Sequence, residues 1–315
     1  MPVERASPAA APQPQYSKPI VLLRRLTSSL VLWGVVLGAV FSPNKLLSDY
    51  VFLAIMMIIA GLGLREFYDL VGKRALVCFK GWGIFGGLLL MVSTFVYVSG
   101  VRGTPASPAK ANDFETSIII IFVLGLCIRQ FVSKSNTAGL LAISTTLFGL
   151  MYVPWLLNFI QKINFFPKVE GRYYVLYFIL VTKFSDMGAY CVGSLIGKHK
   201  MIPRISPNKT WEGFGGAILF SVAGSLIFAH VANSHLATAV YPNGMPWFHA
   251  VILGVVLSVA AVVGDLIESL FKREAGVKDS GRFFPGIGGI LDLVDSLLFN
   301  APLMYLYLRH VLTRP

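Results

Sequence analysis

The sequence predicts an all-α, polytopic integral membrane protein with about nine transmembrane helices and short loops. Of its 315 residues, 55% are hydrophobic and only 13% are charged, which is about half the charged fraction of an average soluble domain. Nine stretches approach the roughly 20 apolar residues that cross a bilayer. Lipid admits only helices and closed barrels, and apolar runs of this length favour helices. No large domain outside the membrane fits into the remaining residues.

The N-terminal tail precedes this series of apolar stretches. Residues 1–19 are rich in Pro and Ala and have no apolar period, which predicts a disordered tail. The nine predicted spans lie near 26–42, 50–71, 81–100, 116–132, 138–160, 173–193, 213–232, 247–267 and 292–310. They divide into N-terminal transmembrane helices within 20–170 and a C-terminal transmembrane region within 171–315 that holds the chemical groups described below.

The charge balance indicates how the chain is oriented and what surrounds it. The 27 Lys and Arg residues outnumber the 15 Asp and Glu residues, for a formal charge of +12. Because basic residues concentrate in cytoplasmic loops and face anionic lipid, this excess indicates a bilayer partner and no nucleic acid. We predict a multi-pass protein of the inner (cytoplasmic) membrane with its N-terminus inside. A homodimer is the default expectation, since it is the commonest oligomer.

Carboxylates are scarce in this sequence, and six of the fifteen fall between residues 265 and 295. Four polar residues at i, i+3, i+4 and i+7 share one helix face at the end of the eighth span: Asp265, Glu268, Ser269 and Lys272. Asp292 and Asp295 share a face of the last span. Two such acidic faces can converge on Mg²⁺, which takes one or two carboxylates plus substrate phosphates. The alternative is that acids and lysines simply pair along a solvated helix end, but ionisable groups entering the membrane are costly and usually functional.

Two loops add anion-binding character to this region. The segment KREAGVKDSGRFFPGIGGILD lies between the two acidic faces. Its glycines permit close backbone approach, and its amides and basic side chains can hold phosphate. ISPNKTWEG combines hydroxyls, a lysine and a Pro-Asn turn. Anion-binding loops beside paired carboxylates predict metal-assisted phosphoryl or nucleotidyl transfer, and a phosphate nucleophile needs no general base.

Residues 264–296, GDLIESLFKREAGVKDSGRFFPGIGGILDLVDS, resemble the phosphatidate cytidylyltransferase (CDP-diacylglycerol synthase) family. That family's signature runs S-x-x-K-R, four residues, K-D, then P-x-H-G-G-x-x-D-R-x-D. The matching positions are Ser269, Lys272, Arg273, Lys278, Asp279, Pro285, Gly288, Gly289, Asp292 and Asp295. Ile287 stands at the family's His and Leu293 at its Arg. Residues 185–216 and, more weakly, REFYDL at 65–70 are also similar to the family.

The resemblance implies that CTP and phosphatidic acid give CDP-diacylglycerol and pyrophosphate, with Mg²⁺ as cofactor, on the cytoplasmic face. With the residue patterns above, it suggests three groups of site residues. The expected metal ligands are Asp265, Glu268, Asp292 and Asp295. The expected catalytic residues are Asp265, Lys272, Arg273, Lys278, Asp279 and Asp292. The expected substrate-binding residues are Ser206, Lys209, Thr210, Ser269, Gly288 and Gly289.

Two alternative functions stay open. A CTP-dependent polyprenol or phytol kinase would also combine CTP, Mg²⁺ and a membrane lipid, but its alcohol acceptor needs a general base. An ion-coupled transporter would use charges inside the spans, of which the sequence offers Glu66, Arg129, Lys183 and Asp186. That function leaves the acidic cluster and the glycine-rich loop unexplained. Asp186 can instead pair with Lys183, three residues earlier, in a purely structural role.

Overall fold

A computed structural model describes Gly34, Gly38 and residues 41–101, 103, 107–133, 138–281 and 288–314. Within these residues, eight helices are long and apolar enough to cross a membrane. They are α1 (Lys45–Lys73), α2 (Lys80–Val98), α3 (Pro108–Val132), α4 (Gly139–Asn164), α5 (Gly171–Ile196), α6 (Trp211–Val231), α7 (Trp247–Glu274) and α8 (Ile290–Leu312). The all-α, multi-pass prediction is confirmed.

Eight of the nine predicted spans each correspond to one of these helices. The predicted tail at 1–19 and the predicted span at 26–42 lie outside the described residues, except for Gly34 and Gly38, which are helical. α3 begins earlier than predicted because Ser107 caps it: the Lys110 amide donates to Ser107 Oγ at 3.4 Å, and Pro108 suits a first helical position. The division of the chain at residue 170 stays a prediction.

One hydrophobic core joins α1 to α4, α5, α7 and α8. Its centre is aromatic and aliphatic, with Tyr174, Phe178 and Leu298 fully buried. α5, α6 and α7 pack side by side, and α8 packs against α7, α4 and α1. Because successive spans alternate in direction, α1, α5 and α7 end where α6 and α8 begin. The polar segments predicted to carry the chemistry are therefore gathered at one end of the bundle.

A short β-hairpin occupies that end, in a segment predicted as a loop. Strand β1 (Lys200–Ile202) pairs antiparallel with strand β2 (Ser206–Thr210), with Ile202 opposite Ser206. Thr210 ends β2 and caps α6, because its Oγ1 accepts a hydrogen bond of 3.1 Å from the Gly213 amide. The hairpin is the only sheet among the described residues, and the cap fixes its last residue to the start of α6.

The opposite end of the bundle contains a buried polar network. Glu115 of α3 and Lys162 of α4 form an ion pair with side chains only 4% and 3% exposed. Asn158 also donates to Glu115 and, at 2.8 Å, to Thr94 of α2. The Lys162 ammonium lies 4.0 Å from the centre of the Phe159 ring. Buried charges are costly unless they are paired, so each partner depends on the other.

Replacing Lys162 by Met is expected to lower the free energy of unfolding by about 3–5 kcal/mol, because Glu115 is left buried without its counter-ion. The double replacement Lys162→Met with Glu115→Leu should recover part of this loss. Thermal unfolding in detergent measures both, with Lys110→Met as the control because Lys110 is exposed on the same helix as Glu115. A Lys162→Met protein as stable as the control would contradict the assigned role of the pair.

Candidate active site

Three carboxylates from two neighbouring helices meet at the hairpin end of the bundle. Asp265 and Glu268 of α7 and Asp295 of α8 each offer an oxygen, and these oxygens lie within 4.8 Å of one another. Glu268 is fully buried and Asp295 is 8% exposed. The helices approach closely because Gly264 has no side chain: a Cβ there would lie 2.8 Å from the carbonyl oxygen of Asp295. The two predicted acidic faces therefore approach each other through these three acids, and their expected role as metal ligands stays a prediction.

The chemistry of this carboxylate cluster fits a divalent cation. Glu268 Oε1 is buried without a hydrogen-bond donor, whereas Oε2 contacts the ammonium of Lys272. Leaving buried carboxylate charge without donors is costly, and a cation that prefers oxygen ligands would offset that cost. Asp265, Glu268 and Asp295 could therefore hold a divalent cation together.

Two lysines bring positive charge to the same acids. Lys209 Nζ, from β2, lies 2.7 Å from Asp265 Oδ2 and donates to the carbonyl of Val262 at 3.3 Å. Lys272 pairs with Glu268 and, at 2.6 Å, with Asp292 Oδ1. The hairpin and the end of α7, which are far apart in sequence, thus form one charged surface. Such a surface can stabilise the negative charge of phosphates.

Asp292 lies outside the three-carboxylate cluster and braces the start of α8. Its Oδ2 accepts hydrogen bonds from the amides of Gly289 (2.7 Å) and Ser280 (3.1 Å) and lies 2.9 Å from Ser280 Oγ. Its Oδ1 is occupied by Lys272. A carboxylate three residues into a helix that accepts from the N-cap amide is a common helix start. Its expected role as a metal ligand stays a prediction.

The remaining predicted residues fall around this cluster. Ser269 Oγ donates to Asp265 Oδ1 at 3.3 Å, and Arg273 Nε donates to the carbonyl of Ile205 in the hairpin turn at 3.2 Å. Lys278 and Asp279 are exposed. Gly288 has φ of +116°, a conformation that favours glycine. Three further predicted residues lie at the edges of these elements. Ser206 begins β2, Thr210 is the N-cap of α6, and Gly289 is the N-cap of α8.

Other sequence assignments near the site also have definite positions. Lys183 Nζ lies 3.2 Å from Asp186 Oδ2, which is the structural pairing given above as the alternative role of Asp186. Leu293, at the family's Arg position, is half-buried and packs against the hydrophobic core. Pro285 and Ile287 lie outside the described residues. In the structure, Leu293 therefore contributes to the packing of α8 against the hydrophobic core.

Glu66 is a residue of this region that sequence reasoning did not assign to the site. Its side chain extends from α1 to the first turn of α8, where both oxygens accept hydrogen bonds from backbone amides. The signal available in the sequence was a carboxylate within an otherwise apolar span. In the sequence alone, this carboxylate fits an intramembrane charge of a transporter, because nothing local connects residue 66 with residue 290.

The cytidylyltransferase family model matches residues 24–311 of the chain. A phosphatidate cytidylyltransferase of Staphylococcus haemolyticus is 30% identical over 292 residues, covering 91% of this chain and 98% of that protein. A protein of the same name from Bacillus subtilis is 31% identical over 278 residues, covering 88% and 96%. One from Mycobacterium tuberculosis is 34% identical over 196 residues, covering 60% and 56%. Since the family model spans almost the whole chain, including the two helices that carry the carboxylate cluster, the chain belongs to the cytidylyltransferase family and is a nucleotidyltransferase.

Proposed function

We propose that this protein is a phosphatidate cytidylyltransferase, which transfers the cytidylyl group of CTP to phosphatidic acid and releases pyrophosphate. Relatives with that name align along almost the whole chain. The observation that carries the proposal is the meeting of Asp265, Glu268 and Asp295 with Lys209 and Lys272. Nucleotidyl transfer needs a cation site beside fixed positive charge, and this cluster supplies both within a membrane protein.

The reaction requires charge neutralisation and alignment more than proton transfer. An oxygen of the lipid phosphate forms a bond to the α-phosphorus of CTP, and the bond from that phosphorus to the oxygen bridging to the β-phosphate breaks. Mg²⁺ bound by the three acids would neutralise charge on the triphosphate. Lys209 and Lys272 hold positive charge beside those acids, where it stabilises the departing pyrophosphate. Arg273 and Lys278, both exposed, attract the incoming nucleotide by long-range charge.

The site faces the cytoplasm in this proposal, and the protein lies in the inner membrane. Basic residues are frequent at the hairpin end of the bundle: Lys73, Arg74, Lys198, Lys200, Arg204 and Lys278 are all exposed there. Cytoplasmic loops carry such an excess of Lys and Arg, which supports this orientation. A homodimer stays an expectation based on the frequency of that oligomer.

Pyrophosphate release by the purified protein in mixed micelles tests the function. We expect release only when Mg²⁺, CTP and phosphatidic acid are all present, with CDP-diacylglycerol as the lipid product. Omitting each component in turn provides the controls. Formation of CDP and a phosphorylated polyprenol, by transfer of the γ-phosphate in place of the cytidylyl group, would contradict the proposal and favour a lipid-alcohol kinase.

A further inference from the structure

The Glu66 carboxylate connects α1 to the beginning of α8. The Ile290 amide donates to Glu66 Oε1 at 3.1 Å, and the Leu291 amide donates to Glu66 Oε2 at 2.9 Å. These are the first two residues of α8, whose amides have no acceptor within the helix. Glu66 therefore supplies, from a helix more than 200 residues earlier in the chain, the acceptors that the start of α8 lacks. Its negative charge also suits the positive end of the helix dipole.

The loop before α8 is built around the same carboxylate. Ser280 Oγ lies 3.0 Å from Glu66 Oε2 and 2.9 Å from Asp292 Oδ2, so its one proton is shared between two acceptors. Gly289 leaves the space that Glu66 occupies, because a Cβ there would overlap Glu66 Oε2 and Ser280 Oγ. Glu66, Ser280 and Asp292 thus form one bracket around the N-terminus of α8.

This bracket lies one helical turn before Asp295, the α8 residue of the three-carboxylate cluster. In an α-helix the amide of Asp295 donates to the carbonyl of Leu291, the residue whose own amide is held by Glu66. The rotation and height of the first turn therefore determine where the Asp295 carboxylate stands relative to Asp265 and Glu268 on α7. Asp292 holds the N-cap amide of Gly289, whereas Glu66 holds the next two.

We propose that Glu66 is a positioning residue for the cation site: it fixes the first turn of α8 and thereby aligns Asp295 with Asp265 and Glu268. This inference rests on the proposed function only in taking those three acids as a Mg²⁺ site. Glu66 is not one of the three acids whose oxygens converge, and both of its oxygens accept from backbone amides. Groups that orient ligands without touching the metal commonly change metal affinity by about 10–100-fold when they are mutated.

Direct binding of Mn²⁺ to the substrate-free protein in detergent, followed by electron paramagnetic resonance, tests this role without any assay of activity. Glu66→Gln is expected to weaken Mn²⁺ binding about tenfold. Glutamine has only one acceptor oxygen, and its NH₂ group, which cannot accept a hydrogen bond, would face the other backbone amide. The matched control is Asp69→Asn in the same helix, whose carboxylate is half exposed and pairs with Lys80. The control should bind Mn²⁺ like the wild type.

Two further variants keep the outcome decisive. Asp295→Asn defines the signal that belongs to this site, since it removes a ligand and should abolish that binding. Glu66→Asp keeps the charge on a shorter side chain and should bind Mn²⁺ more tightly than Glu66→Gln. If Glu66→Gln does not fold, Glu66→Asp is the variant to compare with the wild type.

Wild-type Mn²⁺ affinity in folded Glu66→Gln, or in Glu66→Asp if only that variant folds, would overturn the positioning role. A wild-type protein that binds Mn²⁺ here but makes no CDP-diacylglycerol would instead contradict the proposed function alone.

Discussion

Asp295→Asn is expected to lower the rate of CDP-diacylglycerol formation by about a thousandfold or more, because it removes one of three charged ligands from the cation site. The same change should leave the bundle folded. Asp295 is only 8% exposed and lies beside Asp265 and Glu268, so replacing it by a neutral amide relieves repulsion between acids when no metal is bound. We therefore expect a melting temperature in metal-free buffer equal to or above that of the wild type.

The measurement combines initial rates at saturating CTP and lipid with thermal unfolding in chelator. Asp113→Asn is the matched control, because Asp113 is an exposed carboxylate on α3 near the opposite end of the bundle. It should change neither quantity. A normal rate in Asp295→Asn, with Mg²⁺ dependence like that of the wild type, would exclude this acid from the metal site. A large fall in melting temperature would show that Asp295 is structural.

Lys272→Ala is expected to raise the CTP concentration needed for half-maximal rate by about a hundredfold, and that for phosphatidic acid by less. Lys272 contacts both Glu268 of the carboxylate cluster and Asp292, which holds the start of α8. Without it, two largely buried carboxylates lose their counter-ion, which costs about 3–5 kcal/mol of folding free energy. Added Mg²⁺ should recover part of that stability, since the cation takes over the neutralisation.

Steady-state rates with CTP and phosphatidic acid varied separately measure the first effect, and melting temperatures with and without Mg²⁺ measure the second. Lys73→Ala is the matched control, because Lys73 is an exposed lysine at the end of α1, on the same side of the bundle. If Lys272→Ala left the CTP dependence unchanged while lowering stability, Lys272 would be a structural counter-ion with no part in binding phosphates.

Local composition was enough to predict the membrane-spanning helices, whereas predicting where each helix ends also requires its capping contacts. Every described span was identifiable because burying about 20 apolar residues in lipid requires nothing from distant segments. The helices run past the apolar stretches where polar residues cap them, as at Ser107 before α3. Capping is a contact between neighbouring residues, but an average of hydropathy over about 20 residues does not detect it. The β-hairpin between α5 and α6 was missed because its short strands, SPNKT above all, have a turn-like composition.

Much of the candidate site was also evident from the sequence. The spacing of Asp265, Glu268 and Lys272 placed them on one face of α7 because helical periodicity is local. The same reasoning grouped Asp292 with Asp295, but in the structure these two acids serve different neighbours. Asp292 accepts from the Gly289 amide, whereas Asp295 joins the acids of α7. A difference of three positions turns a side chain by about 60° around the helix axis, enough to separate their partners.

By itself the sequence determined that this chain crosses the membrane many times, and that its acids, lysines and glycines concentrate in two segments near the C-terminal end. Only the tertiary structure decided which of them meet. Lys209 reaches Asp265, and Glu66 reaches the first turn of α8, across long stretches of chain. Such contacts depend on how helices pack and on where small residues such as Gly264 let them approach. Periodicity describes one helix at a time, so it cannot specify a contact between two.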